Sequence, residues 1–347
     1  MLLFSLTEEI AILARRNILV ALGVLSLLAN CQPKEPKEQV IRVAVMPNLT
    51  HAPAFVGLAE GLLAQELGAS IQIKPQLFNA GPSIVEAVLA GEIDLAYLGP
   101  GPALNGYFRS KGKGFKALAG VTSGGAALVV RQGVSIVTSL DLHGKRLATP
   151  QIGNTQDIAL RYWLSEVGLQ TKEQGGTVSV IPVENPMQLP LLLRGEIDGV
   201  WTIEPWVSQL ILKGSGKILF EEASLWPQGH YLTVLLIASQ PFLEKHPQWV
   251  EQWMAGHVQT IRWIRSHSEE ARDLTRSEIK RLAQLDMDPP VFSAGWSRLE
   301  FTFDPLKDSF REMARRSAQI GYLKGSIEGV DDIWDLRFLD KTLKQIP

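Results

Sequence analysis

The sequence predicts an α/β protein built from two related lobes, and three observations carry that reading. The stretch Glu86–Leu104, EAVLAGEIDLAYLGPGPAL, returns in outline as Leu189–Trp206, LPLLLRGEIDGVWTIEPW. From Ile41 onward, apolar runs of strand length alternate with runs of helical spacing, the pattern of an α/β sheet. At 347 residues, 46% hydrophobic and 20% charged, the chain can fill one large or two ordinary cores.

In both copies of the repeat an apolar helical run ends at a glycine, Gly91 or Gly195, which suits the left-handed cap of a helix. Glu-Ile-Asp then marks a turn, and Leu95–Leu98 or Gly199–Thr202 reads as a brief buried strand. The prolines beyond, Pro100, Pro102 and Pro205, suit the first turn of a new helix, where a missing N–H costs little. The two glycines lie 104 residues apart, far beyond the roughly 20–50-residue period of a solenoid. The repeat therefore marks lobes and not stacked units.

This order of motifs resembles the periplasmic substrate-binding proteins of ABC importers that handle sulfonates, nitrate, bicarbonate and the thiamine pyrimidine. In that family G-x-I-D, a short strand and a turn recur once per lobe, with E-P-W after the second copy. Asp141-Leu142-His143-Gly144-Lys145 matches the family's D-L-x-G-K entry to its second lobe. The resemblance covers the chain from about Val40 onward. It implies a two-lobed periplasmic-binding-protein fold of type II, with two doubly wound sheets joined by a double-crossover hinge. Lobe 1 would comprise residues 41–126 and 229–347, and lobe 2 residues 127–228. It further implies a receptor that is not an enzyme and holds no cofactor. Such a receptor closes on a small solute, an aliphatic sulfonate first and nitrate or bicarbonate next, and passes it to a permease and its ATPase.

The ends of the predicted strands supply the candidate contacts, because ligands of open α/β sheets gather outside the carboxyl ends. Ile41–Met46 is the first central strand, so Asn48, Thr50 and His51 in the loop after it are candidates; Thr50 and Asn48 equally suit capping of the helix expected at Ala54–Leu67. Strands are also expected at Ile71–Pro75, Phe115–Val121 and Lys145–Thr149, and a helix at Pro82–Ala90. Gly99 and Gly101 let backbone N–H groups face a cleft at a helix start, an arrangement friendly to anions, or form a tight turn with no ligand. Thr122, Ser123 and Gly124 lie in a TSGG pause before the run Ala126–Val130, which fits a crossover between lobes with hydroxyls toward the cleft, or plain turn chemistry. Asn154, Thr155 and Gln156 precede a helix at Ile158–Val167 and form the second half of the proposed anion site, or a cap without a ligand. Glu204 would repel a bare anion, so it points to a ligand with a cationic or donor group, or to pairing with a residue of either lobe. Trp201 and Trp206 read as core.

The remaining segments bear on the return of the chain and on what it does not bind. After a strand at Thr177–Val183 and a turn at Leu225–Gly229, Tyr231–Ala238 reads as the strand returning to lobe 1. Trp249–Ser266 places Val250, Trp253, Met254, His257, Val258 and Ile261 on one helical face. Pro305–Ile320 is expected to be the final amphipathic helix, with Arg311, Arg315 and Arg316 outward as a solvated face. A net charge of −2 gives no basic field of the kind nucleic-acid binding needs. The six histidines show no metal-ligand spacing.

The N-terminus reads as a leader. Arg15-Arg16 precedes the apolar run Ile18–Ala29, too short for a bilayer span and of the length of a signal segment. Leu28-Ala29-Asn30-Cys31 resembles a bacterial lipobox, with Asn30 departing from the usual Gly, Ala or Ser. Residues 1–31 are thus expected to be a lipoprotein signal, Cys31 the lipidated residue, and 32–40 a polar tether holding the protein in the periplasm or at the outer face of the cytoplasmic membrane; the alternatives are a core cysteine on an apolar N-terminal helix, ordinary signal cleavage or a retained helix. The competing classes are an enzyme on the same fold acting on a small heterocycle, and a sensor domain. Heterocycle synthases of this fold rely on a cysteine-rich motif, whereas this chain has one cysteine, Cys31.

Overall fold

A computed structural model describes residues 39–346 of the chain. The expected leader, Cys31 and most of the tether lie outside the described residues. Gln39 and Val40, expected at the end of the tether, are the first residues of a strand.

In chain order, β1 (Gln39–Val45) is followed by a 3₁₀ turn at Leu49–His51, α1 (Ala52–Ala59), α2 (Leu62–Leu67), β2 (Ile71–Leu77), α3 (Gly81–Leu89), β3 (Leu95–Leu98), α4 (Pro100–Arg109) and β4 (Phe115–Gly124). Next come β5 (Ala126–Val130), β6 (Arg146–Thr149), α5 (Thr155–Glu166), β7 (Ser179–Pro182), α6 (Asn185–Leu193), β8 (Gly199–Ile203), α7 (Trp206–Gly214) and β9 (Lys217–Glu221). The chain ends with β10 (Leu232–Ser239), α8 (Gln240–Lys245), α9 (Pro247–Ser266), α10 (Ser268–Ala283), α11 (Pro289–Trp296), β11 (Leu299–Phe301), α12 (Lys307–Gln319) and α13 (Arg337–Gln345).

These strands form two mixed sheets, the centres of two lobes. The first has the order β11-β4-β10-β3-β1-β2 and the second β7-β6-β8-β5-β9. The chain crosses twice. β4 runs through Gly124 into β5 with Gly125 alone between them, and β9 leads through short turns to β10, which inserts antiparallel between β3 and β4. In the second sheet Leu128, Leu147 and Trp201 point to one face, with Leu160 and Leu164 of α5. Their neighbours Val129, Ala148 and Val200 point to the other, with Leu192 of α6 and Leu210 of α7. This is the period of two of a strand, and it buries both faces, as a doubly wound sheet requires.

The repeated Gly-Glu-Ile-Asp explains itself in three dimensions. Arg42 in the middle of β1 donates from its backbone N–H and from Nε to Asp94 Oδ2 (2.8 and 2.9 Å), and from its remaining guanidinium nitrogens to Asp94 Oδ1 (2.6 Å) and the Gly91 carbonyl (2.7 Å). Arg146 at the start of β6 repeats this with Asp198 (2.9 Å from the backbone, 3.2 and 3.3 Å from the side chain) and the Gly195 carbonyl (2.6 Å). Burial pushes the Asp198 carboxyl up, but the donors of Arg146 and Arg131 outweigh it and hold it below the usual carboxylate range.

Several expectations need correction. The helix expected at Ala54–Leu67 is two helices, because Gly61 between them is left-handed (φ 70). The TSGG segment does not pause: β4 continues to Gly124. Pro205 caps α7 and Trp206 is its first residue. Arg316 points inward, its guanidinium 3.8 Å from the centre of the Trp226 ring and bonded to the Leu225 carbonyl (2.9 Å), whereas Arg311 and Arg315 are half-exposed. Periodicity shows which positions share a face but not what a neighbouring lobe lays across it. α13 follows α12, and the edge strands β9 and β11 complete the sheets.

Asp94→Ala and Asp198→Ala remove equivalent acceptors from partly buried guanidinium groups. Each is expected to cost about 2–4 kcal/mol in urea unfolding. A loss below about 0.5 kcal/mol in either, the level of an ordinary surface substitution, would refute the clamp's structural role in that lobe.

Candidate functional site

The turns at the carboxyl ends of the parallel strands converge between the two lobes. Met46 and Asn48 follow β1, Asn79 follows β2 and Gly99 follows β3 from one side; Asn154, Thr155 and Gln156 follow β6 and Asn185 follows β7 from the other. Thr233 and Val234, at the start of β10, and Ile203 complete the lining. The free volume they enclose is about 10 Å³, of the order of one water molecule, so a solute of sulfonate size enters only when the lobes part.

The helix starts from opposite lobes touch. A side-chain carbon on Gly99 would collide with Thr155 Oγ1, and one on Gly101 would stand 3.1 Å from Thr155 Cα, so a side chain at either position would press the two helix starts apart. Pro100 and Pro102 have no N–H, and the Gly101 N–H donates to Thr155 Oγ1 at 3.3 Å. The first lobe's helix therefore offers a single N–H. The first two N–H groups of α5, on Thr155 and Gln156, have no intrahelical acceptor. Asn154 occupies the cap position without a side-chain capping bond; its amide instead donates to Gln156 Oε1 (3.1 Å).

No Lys, Arg or His lines this cavity among the described residues. An anion here is met by N–H dipoles and side-chain amides and hydroxyls, which suit delocalised charge at a helix start. Beside it, sharing Asn79, opens a chamber of about 540 Å³ lined by Leu77, Phe78, Pro150, Pro182, Gln151 and Glu184 among others. Glu184 is the single charged residue in either lining, and its Oε2 accepts from Asn79 Nδ2 across the mouth at 3.3 Å.

Asn48, Gly99, Asn154, Thr155 and Gln156 are brought together, and Gly101 meets Thr155 just behind them. Asn48 Oδ1 also accepts from Trp206 Nε1 of the other lobe at 2.7 Å. The other candidates lie elsewhere. Thr122 donates to the Thr50 carbonyl (2.6 Å), Ser123 Oγ accepts from the Tyr231 N–H (3.3 Å), and the Gly124 carbonyl accepts from Thr233 Oγ1 (2.7 Å). These bonds pin β4 to the 3₁₀ turn and to β10 at the hinge. His51 is fully buried, and burial pushes it down to about 3; neutral, its Nδ1 accepts the Met46 N–H (3.3 Å) and supports the loop from behind. Thr50 is likewise fully buried.

Glu204 faces the lobe junction and not the cavity. It accepts from the Ser208 N–H (3.1 Å) and Oγ (2.9 Å), and pairs with Arg298 Nε at 3.3 Å. Arg298, beside β11 of the first lobe, also pairs with Glu221. Burial pushes the Glu204 carboxyl up to about 7, against the donors of Ser208 and the charge of Arg298. Arg131 is spent on Asp198 (3.4 Å), and Arg161 on Asp157 (3.0 Å) and Glu173 (3.4 Å).

Sequence reasoning missed Asn79, Asn185 and Thr233. The asparagines had a readable signal, each being an amide just beyond a predicted strand. Thr233 had only its place as the one aliphatic hydroxyl in the apolar run Tyr231–Ala238.

Residues 34–278 match the NMT1-like family. The chain is 28% identical over 251 residues to the taurine-binding periplasmic protein of Escherichia coli, covering 72% of this chain and 71% of that protein. Its fold is similar to the alkanesulfonate-binding protein of Xanthomonas axonopodis pv. citri bound to MOPS, with TM-score 0.68 and 20% identity over 84% of this chain and 96% of that one. It is similar also to the periplasmic nitrate-binding protein of Synechocystis, with TM-score 0.72 and 13% identity over 90% of each chain.

Glu204 yields a pH prediction. Its folded pKa of about 7 lies above the ordinary value of 4.5, so the fold binds this proton more tightly than the unfolded chain. Its contribution is complete below about pH 4.5 and lost as pH rises toward 7, by up to about 3 kcal/mol. Urea unfolding from pH 4.5 to 7.5 is expected to show a declining component that Glu204→Gln flattens. Identical slopes in the two proteins would overturn the assignment.

Proposed function

Because this chain belongs to the NMT1-like family and is similar to proteins named taurine-binding, alkanesulfonate-binding and nitrate-binding, we propose that it is the solute-binding component of an ABC importer. It closes on a small oxyanion-bearing solute, an aliphatic sulfonate first and nitrate or bicarbonate next, and delivers it to the permease. The observation that carries this reading is the uncharged cavity between opposed helix starts, Gly99–Gly101 and Asn154–Gln156. Closure requires only that the solute bind the closed arrangement better than the open one.

The chamber beside the cavity favours a sulfonate over the tailless anions. Leu77, Phe78, Pro150 and Pro182 offer an apolar wall for an alkyl chain, and Glu184 offers a carboxylate for an amino end. The name of the Escherichia coli relative, taurine-binding, agrees with this pairing of groups. We take residues 41–126 and 229–347 as lobe 1 and 127–228 as lobe 2, a division supported by the pairing of β10 with β3 and β4. No helix among the described residues is long and apolar enough to cross a membrane; attachment through a lipid on Cys31 is part of the proposal, and an acyl label on the protein that Cys31→Ser removes would support it.

The test is a thermal-shift series with taurine, ethanesulfonate, nitrate and bicarbonate, since a solute bound only by the folded state raises the midpoint. Sulfonates are expected to raise it most. Thr155→Val is expected to weaken every binder about tenfold, and Glu184→Gln to weaken taurine about 2- to 5-fold, an exposed charge being worth little, while leaving ethanesulfonate unchanged. Stabilisation by nitrate or bicarbonate alone would move the solute class, and none by any of the four would remove the reading.

A further inference from the structure

The C-terminal segment makes a contact that solute binding alone does not require. α12 packs its apolar side, Phe310, Met313 and Ala314, into the core of the first lobe. Its polar side lies on α5 of the second lobe: Arg315 donates to the Tyr162 hydroxyl (2.8 Å) and Gln319 Nε2 to Glu166 Oε1 (2.9 Å). Three residues beyond the helix, the Tyr322 hydroxyl donates to Asp157 Oδ2 and accepts the Gly153 N–H at 3.1 Å. Gly153 and Asp157 bracket Asn154, Thr155 and Gln156, the turn that lines the cavity. A first-lobe residue thus grips both ends of the second lobe's donor turn.

We propose that Tyr322 is a closure latch and a positioning residue for the solute site, holding the Gly153–Asp157 turn in its working geometry only while the lobes are together. The latch is built to release. Asp157 is fully buried, yet when Tyr322 withdraws it keeps three donors within its own lobe: Thr149 Oγ1 (3.2 Å), the Gly153 N–H (2.9 Å) and Arg161 Nε (3.0 Å). Asp157 is therefore not stranded when this contact opens, and what Tyr322 gives up is its bond to Asp157 and the one it accepts from the Gly153 N–H, not the pairing of a buried carboxylate. Burial and then the neighbouring carboxylate hold the Tyr322 phenol above its ordinary range, which keeps it a donor. The latch lies on the flank of α5, whereas Arg298 with Glu204 and Glu221 joins the lobes beside the hinge. Part of the closed population therefore exists before solute arrives, and solute adds to it.

The solute-dependent half of this inference rests on the importer reading; the latch itself does not. The test uses Lys74→Cys and Lys172→Cys, one exposed site on each lobe, in a Cys31→Ser background, labelled for distance measurement by FRET or electron spin resonance. Without solute, wild type is expected to populate the short distance, and Tyr322→Phe, which keeps the ring, to lower the short-to-long ratio about tenfold. Tyr162→Phe, which removes the Arg315 acceptor on the same face, is expected to shift the ratio in the same direction. With taurine as probe, Tyr322→Phe is expected to release it about tenfold faster with association little changed, a split that a general loss of stability would not produce. Equal distance distributions in wild type and Tyr322→Phe, or a wild type wholly open without solute, would overturn the latch. Taurine failing to act on either protein would count against the sulfonate reading and leave the distance result to decide the latch.

Discussion

Each lobe hangs on one ion pair between an arginine within one parallel strand and the aspartate just before its neighbour. Arg42–Asp94 and Arg146–Asp198 each span 52 residues. In both lobes the strands they join pair in the same register, Val43 with Leu95 and Leu147 with Gly199. Parallel strands have no tight turn to set their register. Here the two-pronged guanidinium does so, and it also takes the carbonyl of the glycine just past the preceding helix, Gly91 or Gly195, close to the negative end of the helix dipole.

What the clamp levels at one end it delivers at the other. Beyond the paired strands, Met46, Asn48 and Gly99 line the cavity from one lobe, and Asn154 and Ile203 from the other. The two sets meet face to face, and because glycine stands at both positions of closest approach, helix starts of opposite lobes come into contact. Charges are kept out of this meeting. Arginines near it are committed elsewhere, to Asp198, Asp157 and Glu204, and Glu204 is turned to the lobe junction. The resulting surface presents N–H groups, amides and hydroxyls without a fully desolvated cation, which would be costly to leave unpaired.

The fold was legible because its signals are local and repeated. The Gly-Glu-Ile-Asp copies announced two lobes, all-apolar runs such as Leu95–Leu98 announced central strands, and the helical face of Trp249–Ser266 is buried residue for residue. The site was legible where a predicted strand ended in small or amide residues, as at Gly99 and Asn154–Gln156. Thr122 and Ser123 have the same composition and similar placement, yet their hydroxyls satisfy backbone groups at the hinge. A hydroxyl beside a strand end reads the same whether its partner is a solute or a neighbouring strand.

The amino-acid order alone established the class of fold, the duplicated plan and the positions of the helix starts, since each depends on residues close together in the chain. The pairing of distant residues settled the rest. Whether Arg316 faces water or Trp226, whether Glu204 meets a solute or Arg298, and whether Tyr322 is a loop residue or a grip on Asp157 all turn on contacts spanning dozens to well over a hundred residues. Such contacts exist only once two sheets have formed and the chain has crossed between them twice, so no local pattern encodes them.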